Sequence, residues 1–282
     1  MPELPEVETV RRHLEHRILH RKVESCWTSG KSLREPLSRG FSSRFRGGSF
    51  VAARRIAKFL YLDWESSTGE RGRSLLSHLG MTGQFLFRKT PVQNPLPHTH
   101  VRWRFADGSI LYFRDPRRFG LMRWVDRDTR PSGVGIDPTE TEVGGELLYQ
   151  MLRKSRMPIK AFLLDQKKIA GLGNIYACEA LFRAGISPRR LSARIDRLEA
   201  NRLAVAMMDT LSQAVRYRGT SFSDFRDLDN EPGENGGFLY VYGREKHPCR
   251  VCKEPVRRIV QSGRSSFFCG DCQRTGSAGL VS

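Results

Sequence analysis

Residues 249–272 read Cys249-Arg250-Val251-Cys252-Lys253-Glu254-Pro255-Val256-Arg257-Arg258-Ile259-Val260-Gln261-Ser262-Gly263-Arg264-Ser265-Ser266-Phe267-Phe268-Cys269-Gly270-Asp271-Cys272. Two Cys-x2-Cys pairs stand 16 residues apart, and residues 257–268 between them give a strand, a glycine turn and a second strand. Two tight pairs joined by a hairpin have the spacing of a four-sulfur zinc ribbon. Four thiolates complete a tetrahedral shell and leave no position for water, so one Zn2+ here serves the fold rather than the chemistry. The alternative, four unconnected thiols, rarely produces two such pairs at this separation. Arg264 occupies the turn, where it either grips a phosphate or groove or is a solvated surface charge. Cys26 and Cys178 have no partner at metal spacing and read as plain buried thiols.

Outward from the ribbon, the whole chain is basic. Its 282 residues carry 48 Lys and Arg against 30 Asp and Glu, a net charge of +18 that points to a polyanionic partner, nucleic acid or an anionic membrane. No stretch approaches the ~18 consecutive apolar residues of a membrane span, and the start has no signal-peptide character. The expected location is therefore the cytoplasm, where six cysteines are metal ligands or thiols rather than disulfides.

The first residues, Pro2-Glu3-Leu4-Pro5-Glu6-Val7-Glu8-Thr9-Val10, place prolines and acids ahead of a stripe at Val7, Val10, Leu14 and Ile18, which predicts a helix. Runs at 49–64 and 101–106 are β-rich; Val101, Trp103 and Phe105 alternate with Arg102 and Arg104, and Asp107-Gly108 turns that strand back into residues 110–113. Residues 1–130 thus predict an N-terminal β-sandwich with a flanking helix, and 131–143 a linker. Helices are expected near 144–155, 158–167, 174–184 and 195–217, the last with Leu198, Leu203, Met207 and Leu211 as apolar positions. The fold class is α+β. Residues 218–237, rich in Gly and acids, are either a lid or a tolerated insertion.

Glycines in Ile169-Ala170-Gly171-Leu172-Gly173-Asn174-Ile175-Tyr176 separate two helices, with Asn174 either a simple cap or the start of a phosphate-binding helix end. Together with MPELPEVETVRR (1–12), SHLGMTG (77–83), DPRRFG (115–120), IAGLGNIYACEALF (169–182), VYGREKHPC (241–249) and GRSSFFC (263–269), the chain closely resembles the formamidopyrimidine-DNA glycosylases. The resemblance spans both ends and the middle. It implies a helix-two-turns-helix domain over 144–240 with a base-capping loop near 218–237, followed by a zinc finger over 241–282.

It also implies a reaction: excision of oxidised purines such as 8-oxoguanine and formamidopyrimidines from damaged double-stranded DNA, then strand cleavage by β,δ-elimination. The nucleophile would be the α-amine of Pro2, exposed when Met1 is removed. An α-amine titrates near ~8 and a lysine near ~10.4, so more of the former is neutral at physiological pH. Glu3 takes the place of the general acid/base and Glu6 supports it; charge at a helix N-terminus is what these acids would otherwise supply. Lys58 and Arg264 match catalytic phosphate-gripping residues. His100, Arg118, Lys160, Asn174, Tyr242 and Arg258 match DNA contacts that position without reading sequence. Met81, Arg117 and Phe119 match side chains that fill the void left by an extruded base. Ala57 stands where the family usually has glycine, Arg258 where lysine is common, Thr82 where some members carry an acid, and 65–73 is an enlarged hairpin loop. None of these departures removes a catalytic group. A monomer is expected. The competing readings are an endonuclease VIII-like enzyme for oxidised pyrimidines and a non-catalytic zinc-ribbon DNA-binding protein.

Overall fold

The computed structural model describes residues 1–90, 96–141, 143–222 and 225–274. Residue 142 of the predicted linker, residues 223 and 224 of the predicted capping loop and residues 275–282 lie outside that set. Helix α1 (Leu4–Ile18) starts where prolines and acids put it. Glu3 is the N-cap, its side chain accepting the Glu6 backbone N–H, while Glu6 accepts the Glu3 N–H at 2.7 Å. Such a reciprocal cap contributes about 1 kcal/mol. Val7, Val10, Leu14 and Ile18 are all buried.

Among its described residues, the first compact unit, Met1–Pro131 with Tyr217–Gly236, contains α1 and eight strands. These are β1 (Val23–Thr28), β2 (Ser49–Ile56), β3 (Phe59–Glu65), β4 (Arg73–His78), β5 (Gln84–Arg88), β6 (Thr99–Phe105), β7 (Ile110–Arg114) and β8 (Leu121–Asp126). They form two antiparallel four-stranded sheets, β1-β6-β7-β5 and β2-β3-β4-β8. Trp103, Phe105, Phe113 and Phe85 of one sheet join Phe50, Leu62, Trp64 and Leu75 of the other in a core that also takes the α1 stripe. The predicted Asp107-Gly108 turn is present, with Gly108 at φ +83° and the Ser109 N–H donating to Asp107 Oδ1 at 3.0 Å.

Residues 217–236 belong to this sandwich unit. Leu228 is fully buried in its core, and the Phe87 N–H donates to the Leu228 carbonyl at 2.9 Å. Buried Asp227 accepts the backbone N–H groups of Asp229 (3.0 Å) and Glu231 (2.9 Å), folding residues 227–231 into a turn. Sequence composition shows only the glycines and acids of this segment, not the single leucine that anchors it.

The second unit, residues 132–216 and 237 onward, contains α2 (Gly145–Arg153), α3 (Ile159–Leu164), α4 (Asn174–Arg183), α5 (Arg197–Arg216), β9 (Val256–Gln261) and β10 (Arg264–Cys269). Leu203, Met207 and Leu211 of α5 are buried, as their spacing of four predicts; Leu198 is 71% exposed because it sits in the first turn on another face. Gln166 shapes the turn before α4, donating to the carbonyls of Leu164 (3.1 Å) and Leu172 (2.7 Å) and accepting the Gly171 N–H (3.0 Å). On α4, buried Glu179 accepts three successive backbone N–H groups, from Tyr240, Val241 and Tyr242, at 2.8–2.9 Å. Burial raises its pKa, and the three donors oppose that. The β9–β10 hairpin turns through Ser262 (φ 49°) and Gly263 (φ 73°), the left-handed pair a two-residue hairpin requires.

Candidate active site and zinc centre

At the start of α1, Met1 is exposed while Pro2, Glu3 and Glu6 are buried. The Glu6 carboxylate has a double task. One oxygen holds the Glu3 N–H, and the other accepts the Thr220 N–H at 2.7 Å, so the segment that begins at Pro2 and the 217–236 segment share one acidic group. Gly219 makes this approach possible: it lies at φ +80°, and a Cβ there would sit 2.8 Å from Glu6 Oε1. Asn235 closes the arrangement by donating to Thr220 Oγ1 at 3.0 Å.

Lys58 lies in the turn between β2 and β3, buried, after Ala57 in the left-handed region (φ 53°). For a residue with a Cβ that conformation costs about 1–2 kcal/mol, a strain glycine would avoid. Near Lys58 is His78, which sequence reasoning passed over. Its Nδ1 accepts the Gly80 N–H at 2.9 Å, which leaves Nε2 as the protonated, donating nitrogen. Burial, with the charges of Arg34 and Lys58, lowers its pKa to about 4.

A stability consequence follows from that shift. The unfolded chain binds a proton at His78 near the ordinary value of 6.5, while the folded chain resists it down to about 4. Stability from this site is therefore complete above 6.5 and lost as pH falls toward 4. At 1.36 kcal/mol per pKa unit it amounts to up to about 3 kcal/mol. Urea denaturation of wild type and His78→Gln between neutral and acidic pH should give a flatter profile for the variant. Parallel profiles would refute the assignment.

Met81 (37% exposed), Phe119 (44%) and Arg117 project from two neighbouring turns, with the Arg117 guanidinium 4.8 Å from the Phe119 ring centroid. His100, by contrast, is an internal residue. Its Nε2 faces the Asp115 carbonyl at 3.0 Å and must donate, while Nδ1 faces Ser29 Oγ at 3.1 Å. Burial lowers its pKa, against the pull of the Asp115 carbonyl. Its neighbour His98, at φ 62°, is exposed, and both histidines, with Lys31, Trp27 and Arg118, line a depression of ≈ 650 Å³. No local pattern distinguishes the two histidines in Pro97-His98-Thr99-His100; only the strand register does.

In the second unit, Lys160 is 1% exposed, and its ammonium donates to the Ser265 carbonyl and Ser266 Oγ, both at 2.7 Å. Asn174 Nδ2 donates to the same carbonyl at 3.0 Å, and Arg258 Nε to Ser265 Oγ at 2.9 Å. Lys160, Asn174 and Arg258 thus converge on the residue after Arg264, which is itself exposed. Tyr242 packs against Phe267 of β10, ring centroids 5.0 Å apart.

The ribbon's sulfurs lie within 4.8 Å of one another, with Cys249–Cys272 at 3.9 Å and Cys252–Cys269 at 3.4 Å. A tetrahedron with ≈ 2.3 Å Zn–S bonds places sulfurs about 3.8 Å apart, so the four cysteines fit one structural zinc.

Residues 1–122 match the formamidopyrimidine-DNA glycosylase N-terminal domain, 134–226 the H2TH domain of the same enzymes and 246–275 the zinc finger found in FPG and IleRS. The chain belongs to the formamidopyrimidine-DNA glycosylase family. A formamidopyrimidine-DNA glycosylase from Synechococcus is 41% identical over 285 residues, covering 97% of this chain and 99% of that protein. The MutM (Fpg) crystal structure from Thermus thermophilus superposes with a TM-score of 0.83 at 37% identity, covering 96% of this chain and 98% of that one. Lactococcus lactis Fpg bound to DNA containing N7-benzyl-Fapy-dG gives 0.87 at 30% identity, with 97% and 100% covered. Among the described residues no helix is long and apolar enough to cross a membrane.

Proposed function

We propose that this chain excises oxidised purines from duplex DNA and then cleaves the abasic strand, acting on DNA in the cytoplasm. The Glu6 bridge is the observation that carries this reading: one buried carboxylate orders both the residue after Pro2 and the 217–236 segment. The Pro2 nitrogen, once Met1 is removed, attacks sugar C1′. The N–C1′ bond forms and the bond from C1′ to the base breaks, the base leaving with the electron pair and taking up a proton. Glu3 protonates the ring oxygen, opening the sugar to an iminium. That cation acidifies C2′–H; loss of this proton expels the 3′ phosphate, and a second elimination expels the 5′ phosphate. Water then hydrolyses the iminium and frees the amine.

Lys58, with the Nε2–H of His78 near it, and Arg264 on its braced turn supply charge-assisted donors for backbone phosphates. Met81, Arg117 and Phe119 fill the vacated stack, and 217–236 caps the extruded base.

Borohydride reduction of the iminium is the direct test. Protein with Met1 removed, checked by terminal mass, should form a covalent adduct with 8-oxoguanine duplex, and Pro2→Gly should weaken it sharply. No adduct from correctly processed protein would favour a DNA-binding role without chemistry. Lactococcus lactis Fpg has also been solved with DNA containing an oxidised pyrimidine. Thymine glycol duplex is therefore the informative competitor: a clear preference for it would replace purine excision with the endonuclease VIII-like activity.

A further inference from the structure

Met81, Arg117 and Phe119 stand on two turns, residues 79–83 and 115–120, which interlock. A Cβ added at Gly80 would lie 2.5 Å from the Phe119 carbonyl group, and one at Gly120 would lie 3.0 Å from Asp115 Oδ2. At the crossing, fully buried Asp115 accepts the Thr82 hydroxyl at 2.5 Å through one oxygen and the Gly120 N–H at 2.7 Å through the other. Thr82 Oγ1 in turn accepts the Arg117 backbone N–H at 3.3 Å. The Asp115 main chain is held as well: its N–H donates to the His98 carbonyl at 3.0 Å, and its carbonyl accepts the Arg118 N–H at 3.2 Å and His100 Nε2–H at 3.0 Å.

We propose that Thr82 and Asp115 are positioning residues for base extrusion, locking the two turns so that Met81, Arg117 and Phe119 enter the base stack as one pre-formed wedge. The proposal rests on the void-filling role of those three side chains and adds the device that holds them. Thr82 has one hydroxyl proton. Committing it to Asp115 turns a lone pair toward the Arg117 N–H, so a single hydroxyl fixes both turns. Extruding a base costs a few kcal/mol, and a wedge on loose turns would add the entropy of ordering them at that moment. A locked wedge meets that cost during folding instead. Neither residue is placed to touch the reacting sugar, so their effect belongs to extrusion and not to bond breaking.

The test compares two reactions: single-turnover excision of 8-oxoguanine from duplex, which requires extrusion, and cleavage of a preformed abasic site in single-stranded DNA, which does not. Thr82→Val keeps the shape and removes both hydrogen bonds; Thr82→Ser restores them. We expect Thr82→Val to slow duplex excision roughly ten- to hundredfold, the range of one hydrogen bond to a charged acceptor. Single-stranded cleavage should stay at the wild-type rate, and Thr82→Ser should be close to wild type in both. Phe119→Ala is the control for the wedge itself. If it leaves duplex excision unchanged, the void-filling reading fails and the proposal with it. If it slows excision while Thr82→Val does not, or if Thr82→Val slows both reactions alike, only the positioning role is overturned. Melting temperatures identify a variant that fails to fold, in which case Thr82→Ala replaces Thr82→Val with the same expected outcomes.

Discussion

Glu6→Gln is expected to reduce duplex excision by about a hundredfold while leaving the melting of the sandwich cooperative. Both Glu6 oxygens are acceptors for backbone N–H groups, those of Glu3 and Thr220. A glutamine of the same shape can accept at one oxygen only; its NH2 must face the other N–H, donor against donor, in a site that is 1% exposed. Losing one charge-assisted hydrogen bond and stranding a buried donor costs about 3 kcal/mol together, a factor of about a hundred when it falls on the reactive arrangement. Hydrogen exchange should show where the loss falls, with the Thr220 amide becoming fast while amides in the middle of β6 stay protected. Excision within a few-fold of wild type, or a Thr220 amide as slow as before, would mean that the bridge is ornamental.

Removing zinc is expected to abolish tight duplex binding without touching Pro2, the proposed nucleophile. The ribbon's apolar support is built around the cysteines themselves: Cys178, Phe182, Val241 and Val256 cluster with three of the ligating cysteines, and Tyr240, Tyr242 and Phe267 pack half-buried against them, so the hairpin depends on the metal that joins the sulfurs. Structural zinc in such modules contributes about 10–16 kcal/mol, far more than these contacts can replace. Chelation, or Cys272→Ser, should therefore unfold β9–β10, and with it the Ser265 carbonyl on which Lys160 and Asn174 converge. Arg264 then has no fixed place from which to grip a phosphate. Affinity should fall by orders of magnitude and lose part of its steep salt dependence. Borohydride trapping on abasic DNA at high concentration should survive, because Pro2 and Glu3 belong to the other compact unit. Unchanged affinity after chelation would make the zinc dispensable.

Features written locally in the chain were legible in it. The α1 stripe, the alternation Val101-Trp103-Phe105, the Asp107-Gly108 turn and the two Cys-x2-Cys pairs each depend on neighbours a few residues apart, and each is found as expected. The family was legible because several short motifs occur together, none of them decisive alone. Features that depend on distant partners were not legible. Nothing near Lys160 in sequence says that its ammonium meets a carbonyl 105 residues away. Nothing separates buried His100 from exposed His98 except the register of β6. His78 hid inside a motif noted for its methionine, and Thr82 looked like a departure when its hydroxyl joins two turns. Leu198 stands five residues before Leu203, on another face of α5 from the buried stripe, and is exposed although Glu199 and Ala200 of the same turn are buried.

Leu228 has a consequence for the birth of the molecule. The sandwich's last core side chain is encoded just over a hundred residues after its last strand, beyond the whole of α2 to α5. Chains fold as they emerge from the ribosome, N-terminal parts first. A nascent sandwich of this protein therefore waits with an open seat in its core, and with the Phe87 N–H lacking its eventual partner, until residue 228 has left the exit tunnel. Arrest peptides placed at successive lengths should register the release of folding force in two steps, the second only after that residue is out. A truncated N-terminal half, however complete its eight strands, is an unfinished object.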